Sequence, residues 1–526
     1  MKKKGLIVAI FFGTIMLTSL AAGVFLKNTP TQSVNTDMTL TGTPADHFPD
    51  AQRVQFCGSG DAKSTAFVKE YKIPTVCTNP LAIVSDPIGN IWFAQTNTGK
   101  VAKFDPTTES FTEFDNSLWP KNGRSMIWGI DYSPDGSLWF TDESHDSIWQ
   151  FSIDDKKYRS ISYPSEGDSL PQKLKVDGSQ IVINDFTGNK ITFLDPTQSN
   201  GNFGYLSIPS PINGSVTGDF AIDTDNNVWY TNWLFQQGGV LIKLDQEGYR
   251  NSISNDHGGS LPSLDYIEIF QLPLELLTPN GITVSNDGMI WLADTSSSSI
   301  FNFDPVTQQF TQYVTSDPKI STYGNSTGLI KSPISRPYWI KTNSDGQLIF
   351  NEQTANSIAV MDPKSESLVE YLIPSKNPLW GDCDVDSDCG LAQIFDFTTH
   401  NDEIWFTEWV ENNIGVVDTS VALPFGIELD SKDISLTPGE SKNLSFVISP
   451  QQDLSDVSMI LANPHNFLSL TSSVSDSFQL NSNVPKSVDV TISASSNATP
   501  GKYKILLGSQ IEDVSISKFV TVTILS

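Results

Sequence analysis

The chain has 526 residues, too many for one ordinary hydrophobic core unless a repeat absorbs the length. With 60 acidic residues against 32 Lys and Arg, its net charge of −28 disfavours nucleic acid and anionic lipid surfaces as partners, leaving cations, neutral ligands and basic partners open. A 10% aromatic content with 35 glycines and 30 prolines fits a turn-rich β protein.

The N-terminus, "MKKKGLIVAIFFGTIMLTSLAAGVFLKN", places three lysines before an uncharged, mostly apolar run over residues 5–26. That run is long enough to cross a bilayer, and the lysines orient the rest of the chain outside the cytoplasm. Small residues at Ala21 and Ala22 would allow cleavage, but the run exceeds a usual signal core, which favours a retained anchor. Residues 1–30 therefore read as a signal anchor or signal peptide and 31–66 as a linker. The product is extracytoplasmic: membrane-anchored at the cell surface, or secreted if cleaved. Export admits disulfides, and closeness in sequence pairs Cys57 with Cys77 and Cys383 with Cys389.

From residue 67 a phrase recurs: "NIWFAQTNTGKVAKFD" from Asn90, "SLWFTDESHDSIWQFS" from Ser137, "MIWLADTSSSSIFNFD" from Met289 and "EIWFTEWVENNIGVVD" from Glu403. Aligned on its central position, it gives seven units, at Trp92, Trp139, Val182, Trp229, Trp291, Ile349 and Trp405. Each unit holds four short β runs with turns such as "SPDGS" and "SNDGM", and none has a sustained 3.6-residue period. The seventh lacks a fourth strand, whereas "FVKEYKIP" near the N-terminus matches the fourth strand "SLVEYLIP" of the sixth and has no unit of its own. An all-β, seven-bladed propeller over 67–422, closed by its N-terminal strand, accounts for both. From 423 to 526 alternating β runs with Pro-Gly turns predict an immunoglobulin-like β-sandwich, available for protein contacts.

Three residues after each central position sit Gln95, Asp142, Asp185, Asn232, Asp294, Glu352 and Glu408. In a four-stranded blade the end of the second strand meets the start of the first at one mouth. Five carboxylates there point to a divalent metal seat, Mg or Ca, formed from Glu352, Glu408, Asp294, Asp142 and Asp185, with no organic cofactor. Caps on strand ends would show the same repetition. The acidic loop "DCDVDSDCG" is a weaker, separate calcium candidate, its Gly390 one place late for an EF-hand. Trp128, Asn280 and Tyr338 begin first strands, and Trp233 and Trp409 follow the carboxylate positions. Together they offer flat faces and polar groups to a small-molecule, glycan or peptide ligand, with packing between blades as the alternative.

The units "IWFTEWVENNIGVVD", "LWFTDESHDSIWQF" and "IWFAQTNTGKVAKFDPTTESFTEF" resemble blades of the streptogramin lyase family over roughly residues 67–418. Neither the anchor nor the C-terminal sandwich belongs to that resemblance. It implies a seven-bladed propeller and, in true lyases, magnesium-dependent opening of a cyclic depsipeptide lactone by elimination. Family histidines open the first strand in "PHGI" or "PHAI". Here that slot holds Leu81 in "PLAI", Trp128 in "IWGI", Asn280 in "PNGI" and Tyr338 in "PYWI", with Gly218 and Ile394 in two others and the third unit unassigned. Of five histidines only His145, in "TDESHDSI", is expected near the mouth, as a general base if catalysis persists and otherwise as a solvated loop residue. The sequence thus favours a ligand-binding, lyase-like propeller without lyase activity. The alternatives are a metal-dependent lyase with a rebuilt base and a structural envelope component.

Overall fold

The computed structural model describes residues 57–526 except 59, 122, 165–168, 197–203, 210, 213, 235–236, 256–262, 320–333 and 379–388. The proposed anchor, Cys383 and most of the acidic loop lie outside the described residues. No helix among those described is long and apolar enough to cross a membrane. The chain is nearly all β, built from antiparallel sheets.

Unit 1 sets the pattern, with an inner strand Pro80–Ser85, a second Ile91–Gln95, a third Lys100–Asp105 and an outer Ser110–Phe114. Its second strand is buried on both faces, because neighbouring sheets cover it from either side, while its outer strand is largely accessible. The same order repeats over residues 130–162, 171–209, 216–271, 279–314, 337–372 and 394–418 (units 2–7), the last completed by Val68–Lys72. The turn between the first two strands fixes the recurrent tryptophan. Asp86 accepts the backbone N–H groups of Ile88 and Asn90 through one oxygen and Trp92 Nε1, at 2.9 Å, through the other. Asp223 holds Asn227 and Trp229 in the same way.

Side-chain bonds from five of the second strands to the next unit's inner strand tie units together. Thr141 Oγ1 donates to Gln172 O, Asn184 Nδ2 to Thr217 O and Gly218 O, Thr231 Oγ1 to Pro279 O, and Asn351 Nδ2 to Ile394 O. Thr407 Oγ1 donates to Leu81 O at 2.7 Å, returning from the seventh unit to the first. The outer edge of unit 7 is covered by Val68–Lys72, antiparallel to Asn413–Asp418, with Val68 opposite Val417 and Lys72 opposite Asn413. The Cys57–Cys77 disulfide brackets that strand. Cys389 is buried, but its expected partner Cys383 lies outside the described residues.

The C-terminal strands form two sheets, one of them continuous with unit 6. The outer strand Ser367–Leu372 pairs antiparallel with Val514–Ile524, Ser367 opposite Lys518 and Tyr371 opposite Val514, making a single nine-stranded sheet. Ile460, Leu506 and Phe519 join Trp291, Phe350 and Met361 in one hydrophobic cluster, and Lys504 pairs with Glu366 at 2.5 Å. The boundary expected at residue 423 is therefore one of chain order and not of packing: one sheet and one core cross it. The pairing also removes an open sheet edge.

Candidate binding site

In units 1, 3, 5, 6 and 7 the inner strand starts opposite a residue of the polar series and then slips register, and in unit 4 it slips just after Thr217 opposite Asn232. Pro80 lies opposite Gln95, Pro171 opposite Asp185, Pro337 opposite Glu352 and Ile394 opposite Glu408, with irregularities directly after. A β-bulge re-aims the residues inside it, here Leu81–Ala82, Gln172–Lys173, Gly218–Asp219, Tyr338–Trp339 and Phe395–Asp396. The register corrects two sequence assignments. Gln172 fills the slot left open in unit 3, and Phe395 replaces Ile394 in unit 7, because Ile394 occupies the proline position.

Three predicted ligand residues come together around Phe395. Trp128 stacks on Tyr338 at 6.5 Å and meets Phe395 edge-on at 5.5 Å, and Phe395 meets Trp409 at 5.7 Å. Trp128 Nε1 donates to Glu143 at 2.8 Å. These rings are 0–4% exposed, so they pack mainly on one another. Beside them the Arg336 guanidinium is brought down to about 10 by burial, opposed by Tyr338 and Asp294. The other two make their contacts elsewhere: Trp233 lies edge-on to Phe186 at 6.0 Å, and Asn280 donates to Thr295 Oγ1 at 2.6 Å.

The carboxylate series does not gather at the mouth. Every member is fully buried, and each is held within its own unit. Asp185 accepts the N–H groups of Leu170 and Gly188, and Asp294 those of Thr278 and Ser296 with the Ser297 hydroxyl. Glu352 accepts Ser357 Oγ and lies against Glu370 of the outer strand; Glu408 accepts Asn413 Nδ2 and lies against Glu70. In unit 1 the same pairing is Gln95 Nε2 to Glu113 at 2.6 Å. Burial raises the pKa of Glu352, Asp294 and Asp185, and burial with the charge of Glu70 raises Glu408. Glu370 is pushed up to about 8 by burial and by Glu352. The physical reason for the correction is strand alternation. The residue one place earlier (Thr141, Asn184, Thr231, Asn351 or Thr407) reaches the next unit's inner strand, so the carboxylate turns to the other face of its own sheet.

Sequence reasoning missed a charged group on the inner strands. Asp396 takes Lys341 Nζ at 2.9 Å and Lys173 Nζ at 3.2 Å, and Lys173 also sits 4.4 Å over the Trp339 ring. Burial acts to raise Asp396, but the two ammonium groups hold it below the ordinary carboxylate range. Burial depresses Lys173 and lifts nearby Asp219 to about 6. The available signal was a charge inside the apolar phrases "PQKLKV", "TGDFAI" and "IFDFTT". The divalent ion implied by the resemblance finds no fit here, since two amines already neutralise Asp396. Among the described residues no group of three or more His, Cys, Asp or Glu is placed to hold a metal.

His145 lies away from the aromatic cluster, on the outer side of unit 2, with Nδ1 3.0 Å from Asp142 and its ring edge-on to Trp119 at 5.2 Å. The hydrogen bond to Asp142 raises its pKa against the opposing effect of burial.

No protein-family model and no curated protein matches the chain. Among solved structures it is similar to a selenomethionine-substituted virginiamycin B lyase from Staphylococcus aureus, at 18% identity and TM-score 0.51, covering 67% of this chain and 98% of that one. A streptogramin B lyase matches at 20% identity and TM-score 0.50, over 67% and 99%. A catalytically inactive histidine-to-alanine variant of the S. aureus lyase, solved with quinupristin, matches at 19% and 0.50, over 67% and 98%. The likeness shows a shared β-propeller fold.

Proposed function

We propose that the chain is an exported, seven-bladed propeller fused to an immunoglobulin-like sandwich, which binds a ligand or partner at the cell surface and performs no lyase chemistry. The observation that carries this reading is the content of the seven slots at the starts of the inner strands. Leu81, Trp128, Gln172, Gly218, Asn280, Tyr338 and Phe395 include no imidazole, and three of them build an aromatic cluster instead. Elimination needs a base to take the proton alpha to the ester carbonyl; the aromatic cluster provides none. The Cys57–Cys77 disulfide fits an oxidising, extracytoplasmic compartment.

In this reading a partly apolar ligand meets the rim of the Trp128–Tyr338–Phe395 cluster, with Glu143 and Arg336 as polar contacts at its border. Trp128, packed beneath that rim and bonded to Glu143, gives the test its signal. Intrinsic fluorescence of the purified protein, titrated with a cyclic depsipeptide such as quinupristin and with a panel of glycans, should show a saturable change for at least one probe. Trp128→Ala should abolish that change. A response unaltered by the substitution, or none with any probe, would remove the mouth as the binding site.

A further inference from the structure

A groove on the outer side of unit 2 is built around an oriented imidazole. Asp142 is fully buried and receives Trp149 Nε1 at 2.9 Å, the His145 backbone N–H at 3.2 Å, and His145 Nδ1 at 3.0 Å from both its oxygens. With Nδ1 engaged, Nε2 is the nitrogen left to a ligand, and the side chain is 29% exposed. Carboxylate-oriented imidazoles of this kind are typical of histidines that bind or transfer something.

The opposite wall, Leu118 and Pro120, is fixed from behind by the residue between them. Trp119 leans on Trp149 at 5.7 Å and donates from Nε1 to Gly123 O at 2.8 Å. Its ring lies across Gly99, at φ +62°, where an added Cβ would come within 1.9 Å of the indole, so only glycine lets the ring sit there. Both walls therefore stand in place before a ligand arrives, which lowers the entropic cost of binding. The groove holds about 510 Å³, and among the described residues its lining includes His145, Arg159, Ser160, Trp149 and Leu118 but no aspartate or glutamate. In a chain of net charge −28, a cavity with two basic lining residues and no acidic one among those described stands apart from the surface around it.

We propose that this groove binds an anionic group, carboxylate or phosphate, carried on an aromatic or aliphatic body. The imidazolium Nε2–H meets the anion, and the Trp149 indole and Leu118 meet the body. Among the described residues the ionisable groups facing His145 are Asp142 and Asp146 on its own turn and Arg159 on the outer strand; residues 118–120 contribute none. Because Asp142 favours the protonated ring, binding strengthens as pH falls.

The test is calorimetric titration of the purified full-length protein with phenyl phosphate and phenylacetate, with benzyl alcohol as the neutral control and inorganic phosphate as the bodiless one. Saturable binding of at least one aromatic anion is expected, tighter at mildly acidic pH and weakened about tenfold or more in His145→Gln, the scale of a lost charge-assisted hydrogen bond. The preferred anion tells carboxylate from phosphate. Trp119→Leu, by loosening the Leu118–Pro120 wall, should weaken the aromatic anions and leave inorganic phosphate unchanged, which keeps the proposal testable if His145→Gln fails to fold. Absence of binding by both aromatic anions, equal binding of benzyl alcohol, or unchanged affinity in both variants would overturn it.

Discussion

Replacing Glu352 by glutamine should stabilise the protein at alkaline pH, even though it removes a fully buried side chain from a repeated position. Glu352 and Glu370 lie against each other with no cation beside them among the described residues, so one proton must be held between them. Glu370 is pushed up to about 8 from an ordinary 4.5. A carboxyl whose pKa is raised on folding contributes stability that is complete below its unfolded value and is lost as pH rises through the folded one. Wild-type stability should therefore fall between about pH 4.5 and 8 on account of this pair. Glu352→Gln recreates the arrangement already present in unit 1, where Gln95 donates to Glu113 at 2.6 Å. Exchanging a like-charge contact for a hydrogen bond to a carboxylate is worth about 1.5–3 kcal/mol, readable as a rise of a few degrees in Tm. Differential scanning calorimetry of the two proteins, in mildly acidic and in alkaline buffer, should show the gain only in the second. A lower Tm for Glu352→Gln in alkaline buffer would refute the shared-proton account. Stabilisation of the wild type by magnesium or calcium, lost in the variant, would point back to a metal seat.

Asp396→Asn breaks the ion pairs of Lys173 and Lys341, leaving only Asp219 nearby to offset them, and should cost about 3 kcal/mol, the lower end of the range for a broken buried pair because Lys341 is partly exposed and Asp219 remains; a downward shift of the urea midpoint at constant slope checks it. Deleting residues 1–74 uncovers the Asn413–Asp418 edge and should yield aggregates in size-exclusion chromatography, whereas removal of residues 1–30 should not. A chain ending at 422 exposes Ser367–Leu372 along its whole length, and it too should self-associate; a stable monomer would contradict the structural role given to the Val514–Ile524 pairing.

The repeat was legible because one short phrase, a turn followed by a strand centred on tryptophan or an aliphatic residue, recurs along the chain, and in unit 1 the turn's Asp86 holds Trp92. The four-strand period therefore shows in a single chain without alignment. The direction of the carboxylates was not legible. Position along a strand places Glu352 at the mouth end, but only strand alternation within the assembled sheet decides that it faces Glu370, 18 residues later, and not the axis. The seventh slot was misread for a related reason. A bulge changes register without a compositional mark, and Ile394 stands where other units have proline. The Lys173–Asp396–Lys341 group unites three units far apart in sequence, so its members appeared singly as charges in apolar strands. Continuity of unit 6 with the C-terminal strands left no sequence signal, because Ser367–Leu372 is patterned like any outer strand.

Ring opening of a streptogramin B lactone by elimination leaves the mass unchanged, so chromatographic retention is the quantity that reveals it. The purified protein, incubated with quinupristin and excess magnesium and followed by reversed-phase chromatography with fragmentation of each peak, should return only the cyclic compound, at the rate of the protein-free control. A magnesium-dependent linear isomer, formed by the wild type and not by a heat-denatured sample, would contradict the binding-only account.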